Sequence, residues 1–149
     1  MNKVEMARKI DLAAHPLFLR LKELHGFTEL APEDLEAFLA KPGFGAILFI
    51  EDPNRMKETL DELVIAPELL KAYPMVVNRG VLVAERARLA ANRYGFRKWP
   101  AMVLTRDGKY LGVLAGLMEW GDAERAMAEV MASEPSRPPT VGIPVNRIN

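Results

Sequence analysis

The chain has 149 residues, of which 50% are hydrophobic and 27% are charged, a composition that suits one folded domain with a single core. Its 20 basic and 20 acidic residues give a formal net charge of zero, whereas proteins that bind nucleic acid or membrane surfaces usually carry a basic excess. The absence of cysteine excludes disulfides, thiol redox chemistry, thiolate metal sites and cysteine nucleophiles. We therefore expect no nucleic-acid partner, and the lack of net repulsion leaves a homodimer open.

Residues 1–26 are predicted to form a helical extension that packs on the domain. His15-Pro16 suits the start of a helix, and Gly26 is placed to end it. The apolar stripe of this helix consists of Leu17, Phe18, Leu21 and Leu24. Because acidic residues interrupt the segment, no signal-peptide core is predicted, and no apolar run of the chain is long enough to cross a bilayer. We expect a cytoplasmic protein without membrane insertion.

Strands and helices are predicted to alternate from residue 27 onward. The apolar run Gly45–Ile50 lacks alternation, which is typical of a strand buried on both faces of a sheet. The segment Met56–Glu62 is predicted to be loop or partial helix, and a helix with Pro67 in its first turn is predicted at Ile65–Tyr73. The other elements predicted before residue 95 are a strand at Phe27–Leu30, a helix that opens at Pro32, a strand within Met75–Ala84 around Gly80–Val83, and a helix at Glu85–Tyr94 with Leu89 among its packing residues.

An antiparallel hairpin is predicted next. Asp107-Gly108 is a strong two-residue turn signal, because the apolar runs Pro100–Thr105 and Lys109–Gly116 flank it. A last helix is predicted at Trp120–Ala132, and the prolines of residues 133–149 predict an extended tail outside the core. Helices that alternate with strands, closed by a hairpin, predict an α/β fold with a central mixed sheet flanked by helices.

Part of this pattern is that of a known fold. The stretch Tyr94–Pro100 (Tyr-Gly-Phe-Arg-Lys-Trp-Pro), the Asp107-Gly108 hairpin, Gly116 and the final helix together resemble the C-terminal half of the thioredoxin fold. The resemblance implies a thioredoxin-like domain over residues 27–132, between the N-terminal extension and the tail. It also implies that the Trp99–Pro100 peptide bond is cis and lies beside the active-site loop.

The active-site loop departs from the thioredoxin pattern. Thioredoxins carry a Cys-x-x-Cys pair after the central strand, whereas this chain has Glu51-Asp52-Pro53-Asn54-Arg55 at that place. Thiol–disulfide exchange needs an attacking thiolate, so the chemistry of thioredoxins is excluded. The sequence therefore predicts the fold without its redox reaction.

Several further motifs occur in a fixed order along the chain. They are Asp52-Pro53-x-Arg55, Pro67-Glu68-Leu69-Leu70-Lys71-Ala72-Tyr73-Pro74, Arg93-Tyr94-Gly95-Phe96, the strand after Pro100, Tyr110-x-Gly112-Val113-Leu114-x-Gly116 and Trp120. Together they resemble the hydrogenase expression/formation proteins of the HupG/HyaE type, which are cysteine-free accessory proteins of nickel–iron hydrogenase maturation. The resemblance implies a non-catalytic chaperone that binds the precursor of the hydrogenase small subunit, including its twin-arginine signal peptide.

The candidate partner-binding surface lies after the central strand. Glu51 and Asp52 occupy the carboxyl end of that strand, where open α/β sheets tend to place ligands, and their carboxylates suit the arginines of a partner. The alternative is a solvated strand end in which Asp52 begins an Asx turn. Trp99 either stacks on the partner or covers the edge of the sheet. The complete predicted surface is Glu51, Asp52, Pro53, Arg55, Trp99 and Pro100.

Two segments of opposite charge are candidates for steering a partner. Residues 51–62 carry a local charge of −3 and residues 85–98 a local charge of +4, although ordinary helix surfaces would also explain them. His15 and His25 lack companions at ligand spacing, so no metal site is predicted, and we expect neither a cofactor nor catalytic residues. The alternative functions are an interaction or dimerisation module with a different partner and a cysteine-independent enzyme.

Overall fold

The computed structural model describes residues 9–139 of the chain. The helices are α1 (Pro16–Glu23), α2 (Leu35–Leu39), α3 (Glu58–Leu70), α4 (Glu85–Ala91) and α5 (Trp120–Met131), with short 3-10 turns at Leu12–Ala14 and Pro32–Asp34. The strands are β1 (Thr28–Glu29), β2 (Phe44–Ile50), β3 (Val76–Val83), β4 (Ala101–Arg106) and β5 (Lys109–Ala115).

The strands form one mixed sheet in the order β1-β3-β2-β4-β5. β3 is parallel to both β1 and β2, while β4 is antiparallel to both β2 and β5. The central strand β2 is buried at every position from Gly45 to Ile50, as expected for a strand that is covered on both faces. The predicted α/β fold with a mixed sheet flanked by helices is confirmed.

Hydrophobic cores lie on both faces of the sheet. On one face α1, α3 and α5 pack over residues such as Leu48 and Met102. On the other face α2 and α4 cover an aromatic group that includes Phe49, Tyr94 and Phe96. Burial of this apolar surface on both sides is the main source of stability in such a fold.

The hairpin between β4 and β5 turns at Asp107-Gly108, as predicted. Both residues have positive φ, 52° and 77°, which is the conformation of a type I′ turn. The turn is also fixed to the start of β2, because Asp107 Oδ1 accepts a hydrogen bond of 2.7 Å from the backbone N–H of Gly43. A β-carbon at Gly108 would lie 2.0 Å from the carbonyl oxygen of Leu39, so this position has no room for a side chain.

The prediction for the helix after β2 was wrong at its start. α3 begins at Glu58 instead of Ile65, and Pro67 lies inside it, although an internal proline removes a backbone hydrogen bond. Burial explains the outcome, because the residues of α3 that face the core continue on both sides of the proline. They are Thr59, Glu62, Leu63, Ala66, Leu69 and Leu70.

Other boundaries also differ from the predictions. β3 lies within the predicted segment Met75–Ala84 but extends from its predicted centre back to Val76, because its first residues pair with the start of β2. α4 ends at Ala91, and turn hydrogen bonds replace the predicted last helical turn. Two leucines expected to pack, Leu24 just after α1 and Leu89 in α4, are 68% and 65% exposed and do not belong to the core.

The segments that flank residues 27–132 contact the domain where they are described. α1 places Phe18 and Leu21 in the core. In the tail, the backbone N–H of Ser136 donates a 2.9 Å hydrogen bond to the carbonyl of Tyr110. The remainder of the predicted extension and tail, residues 1–8 and 140–149, lies outside the described residues. The division into three segments stays a prediction.

Within residues 9–139, none of the helices has the length and hydrophobicity that a bilayer span requires.

Candidate functional site

The register of the sheet brings the predicted loop and the predicted proline together. Phe49 of β2 pairs with Ala101 of β4, so the loop that follows Ile50 lies beside Pro100. The Trp99–Pro100 peptide bond is cis, as the resemblance implies. The carbonyl oxygen of Pro100 accepts a 2.7 Å hydrogen bond from the backbone N–H of Gly116, which ties this edge to the end of β5.

Asp52 forms an Asx turn at the start of the loop, as the alternative interpretation proposed. Its Oδ1 accepts a 2.9 Å hydrogen bond from the backbone N–H of Asn54. The backbone N–H groups of Arg55 and Met56 donate to the carbonyl oxygen of Asp52 at 2.9 and 3.0 Å. The hydrogen bond from the Asn54 N–H is the main cause of a lowered pKa for Asp52. The carboxylate is therefore ionised at neutral pH and held in one orientation.

The carboxylate of Glu51 is bonded to other residues of the same chain. Its side chain is 13% exposed and forms an ion pair with Arg88 of α4, while its Oε1 accepts a 2.9 Å hydrogen bond from the N–H of Asp52. Burial raises the pKa of Glu51, but the hydrogen bonds from Arg88 and Asp52 outweigh burial and keep this pKa below its ordinary value. A partner's arginine would compete with Arg88 for this carboxylate, which makes Asp52 the more accessible of the two acids.

The other predicted residues differ in exposure. Pro53 and Pro100 are buried, Arg55 is exposed, and Trp99 is partly buried. The Trp99 ring packs edge-to-face against Phe96, with ring centroids 5.4 Å apart. It makes a similar contact with Phe49 at 6.5 Å. These contacts match the interpretation in which Trp99 covers the sheet, because such aromatic pairs stabilise a core.

The oppositely charged segments 51–62 and 85–98 meet in the structure. The Glu51–Arg88 pair joins them directly. Arg93 pairs in addition with Glu36 of α2 at 2.9 Å. Part of the predicted charge polarity is therefore neutralised by contacts within the chain.

Sequence reasoning missed Asn54 as a functional candidate. Its side-chain Oδ1 accepts a 2.8 Å hydrogen bond from the backbone N–H of Ile10, and its Nδ2 donates a 2.8 Å bond to the carbonyl oxygen of Ile10. The same Nδ2 donates to Asp52 Oδ1 at 2.9 Å. Asparagine after aspartate signals a turn in the sequence, but no local pattern indicates a contact between residues 44 positions apart.

A groove of about 300 Å³ lies between the N-terminal segment and the loop. Its walls are Ile10–Ala13, Asp52–Asn54 and Val83-Ala84. Ala84 has a φ of 55°, a conformation that is strained for a residue with a side chain. We call this space the N-terminal groove.

Sequence reasoning also missed Glu62, which lies beneath the same edge of the sheet. Its side chain is only 6% exposed, and burial raises its pKa from 4.5 to about 8. It lines a small cavity together with Gly116 and residues of α3 and α5. The spacing of Glu62 from Thr59 and Ala66 would have placed it on the buried face, had the segment been assigned to a helix.

No group of three or more histidine, aspartate or glutamate side chains in residues 9–139 is arranged to hold a metal ion. The loop after β2 is thus a polar turn that carries carboxylate and amide groups in place of the dithiol of thioredoxins.

Solved structures show the same fold. A designed protein aligns with a TM-score of 0.56 and 18% identity, over 71% of this chain and 98% of its own. Thioredoxin f2 of Chlamydomonas reinhardtii aligns with a TM-score of 0.50 and 17% identity, over 72% of this chain and 97% of its own. At such identities the likeness shows the thioredoxin-like fold alone.

Sequence relatives carry the family assignment. Residues 17–123 match the family model described as Hydrogenase-1 expression protein HyaE. The hydrogenase expression/formation protein HoxO of Azotobacter vinelandii is 36% identical over 80% of both chains. HoxO of Cupriavidus necator is 34% identical over 89% of this chain and 84% of its own, and HupG of Rhodobacter capsulatus is 27% identical over 80% and 88%. This chain therefore belongs to the HyaE family of hydrogenase expression/formation proteins, with a thioredoxin-like fold and no cysteines.

Proposed function

We propose that this protein is a non-catalytic chaperone of nickel–iron hydrogenase maturation. It binds the precursor of the hydrogenase small subunit in the cytoplasm, through contacts that include the twin-arginine signal peptide. The binding surface is the edge formed by the loop Glu51–Arg55 and Trp99-Pro100. Family membership supports a role in hydrogenase formation, and the loop supports the mode of binding.

The observation that carries this proposal is the fixed carboxylate of Asp52 at the carboxyl end of the central strand. Within the described residues, only Asn54 donates a side-chain or Asx-turn hydrogen bond to this carboxylate, through Oδ1. No described residue donates a hydrogen bond to Oδ2, which can therefore accept one from a guanidinium group. An arginine–carboxylate hydrogen bond is short and strong, and it is well suited to a signal that carries paired arginines.

The ion pair between Glu51 and Arg88 supports the same chemistry. It shows that this edge of the sheet can hold a guanidinium against a carboxylate that is mostly shielded from water. Buried backbone around Pro100 provides a rigid wall beside these acids. The surface holds a polypeptide and offers it no thiolate, so binding is reversible and leaves the partner chemically unchanged.

Replacement of Asp52 by asparagine tests the surface. Asparagine keeps an oxygen that can accept the Asn54 N–H, so the turn is preserved while the charge is lost. We expect binding of a small-subunit precursor to weaken about tenfold, because a hydrogen bond to a charged group contributes roughly 1.5–3 kcal/mol. Calorimetric titration of the precursor into both proteins measures the change.

Glu58→Gln is the matched control, because Glu58 is an exposed acid close by at the start of α3. This variant should bind the precursor within about twofold of wild type, in line with the small contribution of exposed charges. Equal loss in the two variants would indicate general electrostatic steering rather than a site at Asp52. Unchanged affinity in Asp52→Asn would contradict the proposed surface.

A second candidate is an interaction or dimerisation module that uses a different face. Trp120 is 45% exposed and lines a cavity of about 110 Å³ between α3 and α5. Exposed tryptophans are frequent at protein interfaces. Sedimentation velocity of wild type and Trp120→Ala tests a homodimer: a dimer that the substitution dissociates would favour this candidate, and a monomer in both would refute the homodimer.

A further inference from the structure

The chain's own N-terminal segment forms one wall of the N-terminal groove and is bonded to the opposite wall in the manner of a bound peptide. The side chain of Asn54 bonds to both main-chain groups of Ile10, at 2.8 Å each. A neighbouring strand makes the same pair of bonds to its partner in a sheet. Because both bonds involve the main chain, any residue other than proline could take the place of Ile10.

The amide of Asn54 is held ready for this contact. Asp52 accepts hydrogen bonds from both the backbone N–H and the side-chain Nδ2 of Asn54, at 2.9 Å each. The second of these bonds fixes which end of the amide is the donor. A preorganised group loses little freedom when a peptide binds, so the geometry favours main-chain recognition.

The residue that precedes Ile10 is basic and lies near an acidic side chain of the loop. Lys9 is close enough to Asp52 to contribute to the lowered pKa of this carboxylate. In the sequence Lys9 follows Arg8, so two adjacent basic residues precede Ile10. The groove therefore combines an acidic position with a main-chain clamp.

We infer that the Asp52–Asn54 side of the N-terminal groove is a binding site for an extended peptide with a basic residue next to the position held by Asn54, and that Lys9-Ile10 occupies this position as an internal competitor. This inference rests on the proposed function, because the basic signal peptide of the partner would use the same groove. The partner peptide displaces the N-terminal segment when it binds. Displacement lowers the apparent affinity, as in any site that its own chain occupies.

The test uses a fluorescently labelled peptide with the sequence of residues 5–14, Glu-Met-Ala-Arg-Lys-Ile-Asp-Leu-Ala-Ala, added to the full-length chain. Ile10→Pro removes the backbone N–H that donates to Asn54 and so weakens the hold on the internal segment, while the loop residues Asp52 and Asn54 stay unchanged. Fluorescence anisotropy should show about tenfold tighter binding of the peptide to Ile10→Pro than to wild type, the gain expected when this hydrogen bond no longer competes.

The second variant removes the clamp. Asn54→Ala should weaken binding of the peptide in the wild-type background and remove the gain in the Ile10→Pro background, whereas the exposed Asn92→Ala serves as a control that should leave both affinities unchanged. A peptide with alanine in place of Arg8 and Lys9 should bind at least about tenfold more weakly to Ile10→Pro, because it lacks the charge-assisted contact. Circular dichroism checks that each variant is folded.

The outcomes separate this inference from the proposed function. Equal affinity of the peptide for wild type and Ile10→Pro would overturn the internal competition, and binding that survives Asn54→Ala would overturn the site. If the peptide behaves as expected but a small-subunit precursor does not bind to any variant, the groove stands and the proposed partner is wrong. If the precursor binds equally to wild type, Ile10→Pro and Asn54→Ala, the partner stands and the groove is wrong.

Discussion

Replacement of Glu62 by glutamine should make the stability of this protein less dependent on pH. Burial holds the pKa of Glu62 at about 8 in the folded chain, against 4.5 for an ordinary glutamate. At low pH the side chain is protonated in both the folded and the unfolded chain, so its ionisation does not reduce the free energy of unfolding. As the pH rises above 4.5, the unfolded chain releases this proton and the folded chain retains it, so the folded state loses stability until the pH passes about 8.

The size of the effect on stability follows from the difference between the pKa values of Glu62 in the folded and unfolded chains. Each unit of pKa difference corresponds to about 1.4 kcal/mol, so Glu62 should reduce the free energy of unfolding by about 3 kcal/mol between pH 4.5 and 7. This loss is a large fraction of the roughly 5–15 kcal/mol that stabilises a typical domain. Glutamine has nearly the same shape as glutamate and does not ionise, so the variant should lack this dependence.

Urea unfolding at several pH values between 5 and 8 measures the effect. The difference in unfolding free energy between Glu62→Gln and wild type should grow in favour of the variant by about 1.4 kcal/mol per pH unit across most of this range. Glu58→Gln is the control, because its carboxylate is exposed and should give a nearly constant difference. Parallel pH profiles for wild type and Glu62→Gln would refute the reasoning and show that Glu62 is ionised in the folded protein.

Two further predictions concern backbone strain and an unpaired hydroxyl. Ala84→Gly should raise the free energy of unfolding by about 1 kcal/mol in thermal melts, because Ala84 has a φ of 55° that glycine adopts without strain. Gly108→Ala should destabilise the protein, since its β-carbon would meet Leu39 at 2.0 Å; a loss in both variants would contradict the assignment of strain to Ala84. Tyr94→Phe should leave the melting temperature unchanged or raise it, because within the described residues the buried Tyr94 hydroxyl makes no hydrogen bond. A loss above about 1 kcal/mol in Tyr94→Phe would show that the hydroxyl has a partner.

Features that depend on residues close together in the sequence were predictable. The hairpin follows from Asp107-Gly108 between apolar runs, and the central strand follows from the apolar run that ends at Ile50. The start of α3 was not predictable in this way, because Pro67 suits the first turn of a helix and so indicated a start near Ile65. Burial of α3 against the sheet overrides that local preference.

In the candidate site, too, the local features were predictable and the long-range contacts were not. The position of Glu51 and Asp52 after the central strand was evident from the sequence, and so was the Asx turn as one of two interpretations. The partners of these side chains were not evident, because Glu51 meets Arg88 and Asn54 meets Ile10 across 37 and 44 residues of chain. Contacts over such separations depend on the register of the sheet, which no local pattern specifies.

These contacts change the interpretation of the predicted surface. Of its two acids, Glu51 is shielded and paired, while Asp52 orients Asn54 and retains an oxygen for a ligand. A carboxylate and an amide on a rigid loop can recognise the charge and the main chain of a peptide together. We therefore propose peptide recognition without a thiol as the chemistry of this edge of the thioredoxin-like fold.

The most direct test of the account compares two forms of the hydrogenase small subunit from the native host. The precursor with its twin-arginine signal peptide and the mature subunit without it are each titrated into the wild-type protein by calorimetry. We expect the precursor to bind at least about tenfold more tightly than the mature subunit, the difference expected from a charge-assisted contact to the signal peptide. Equal binding of the two forms, or no binding of the precursor, would contradict it.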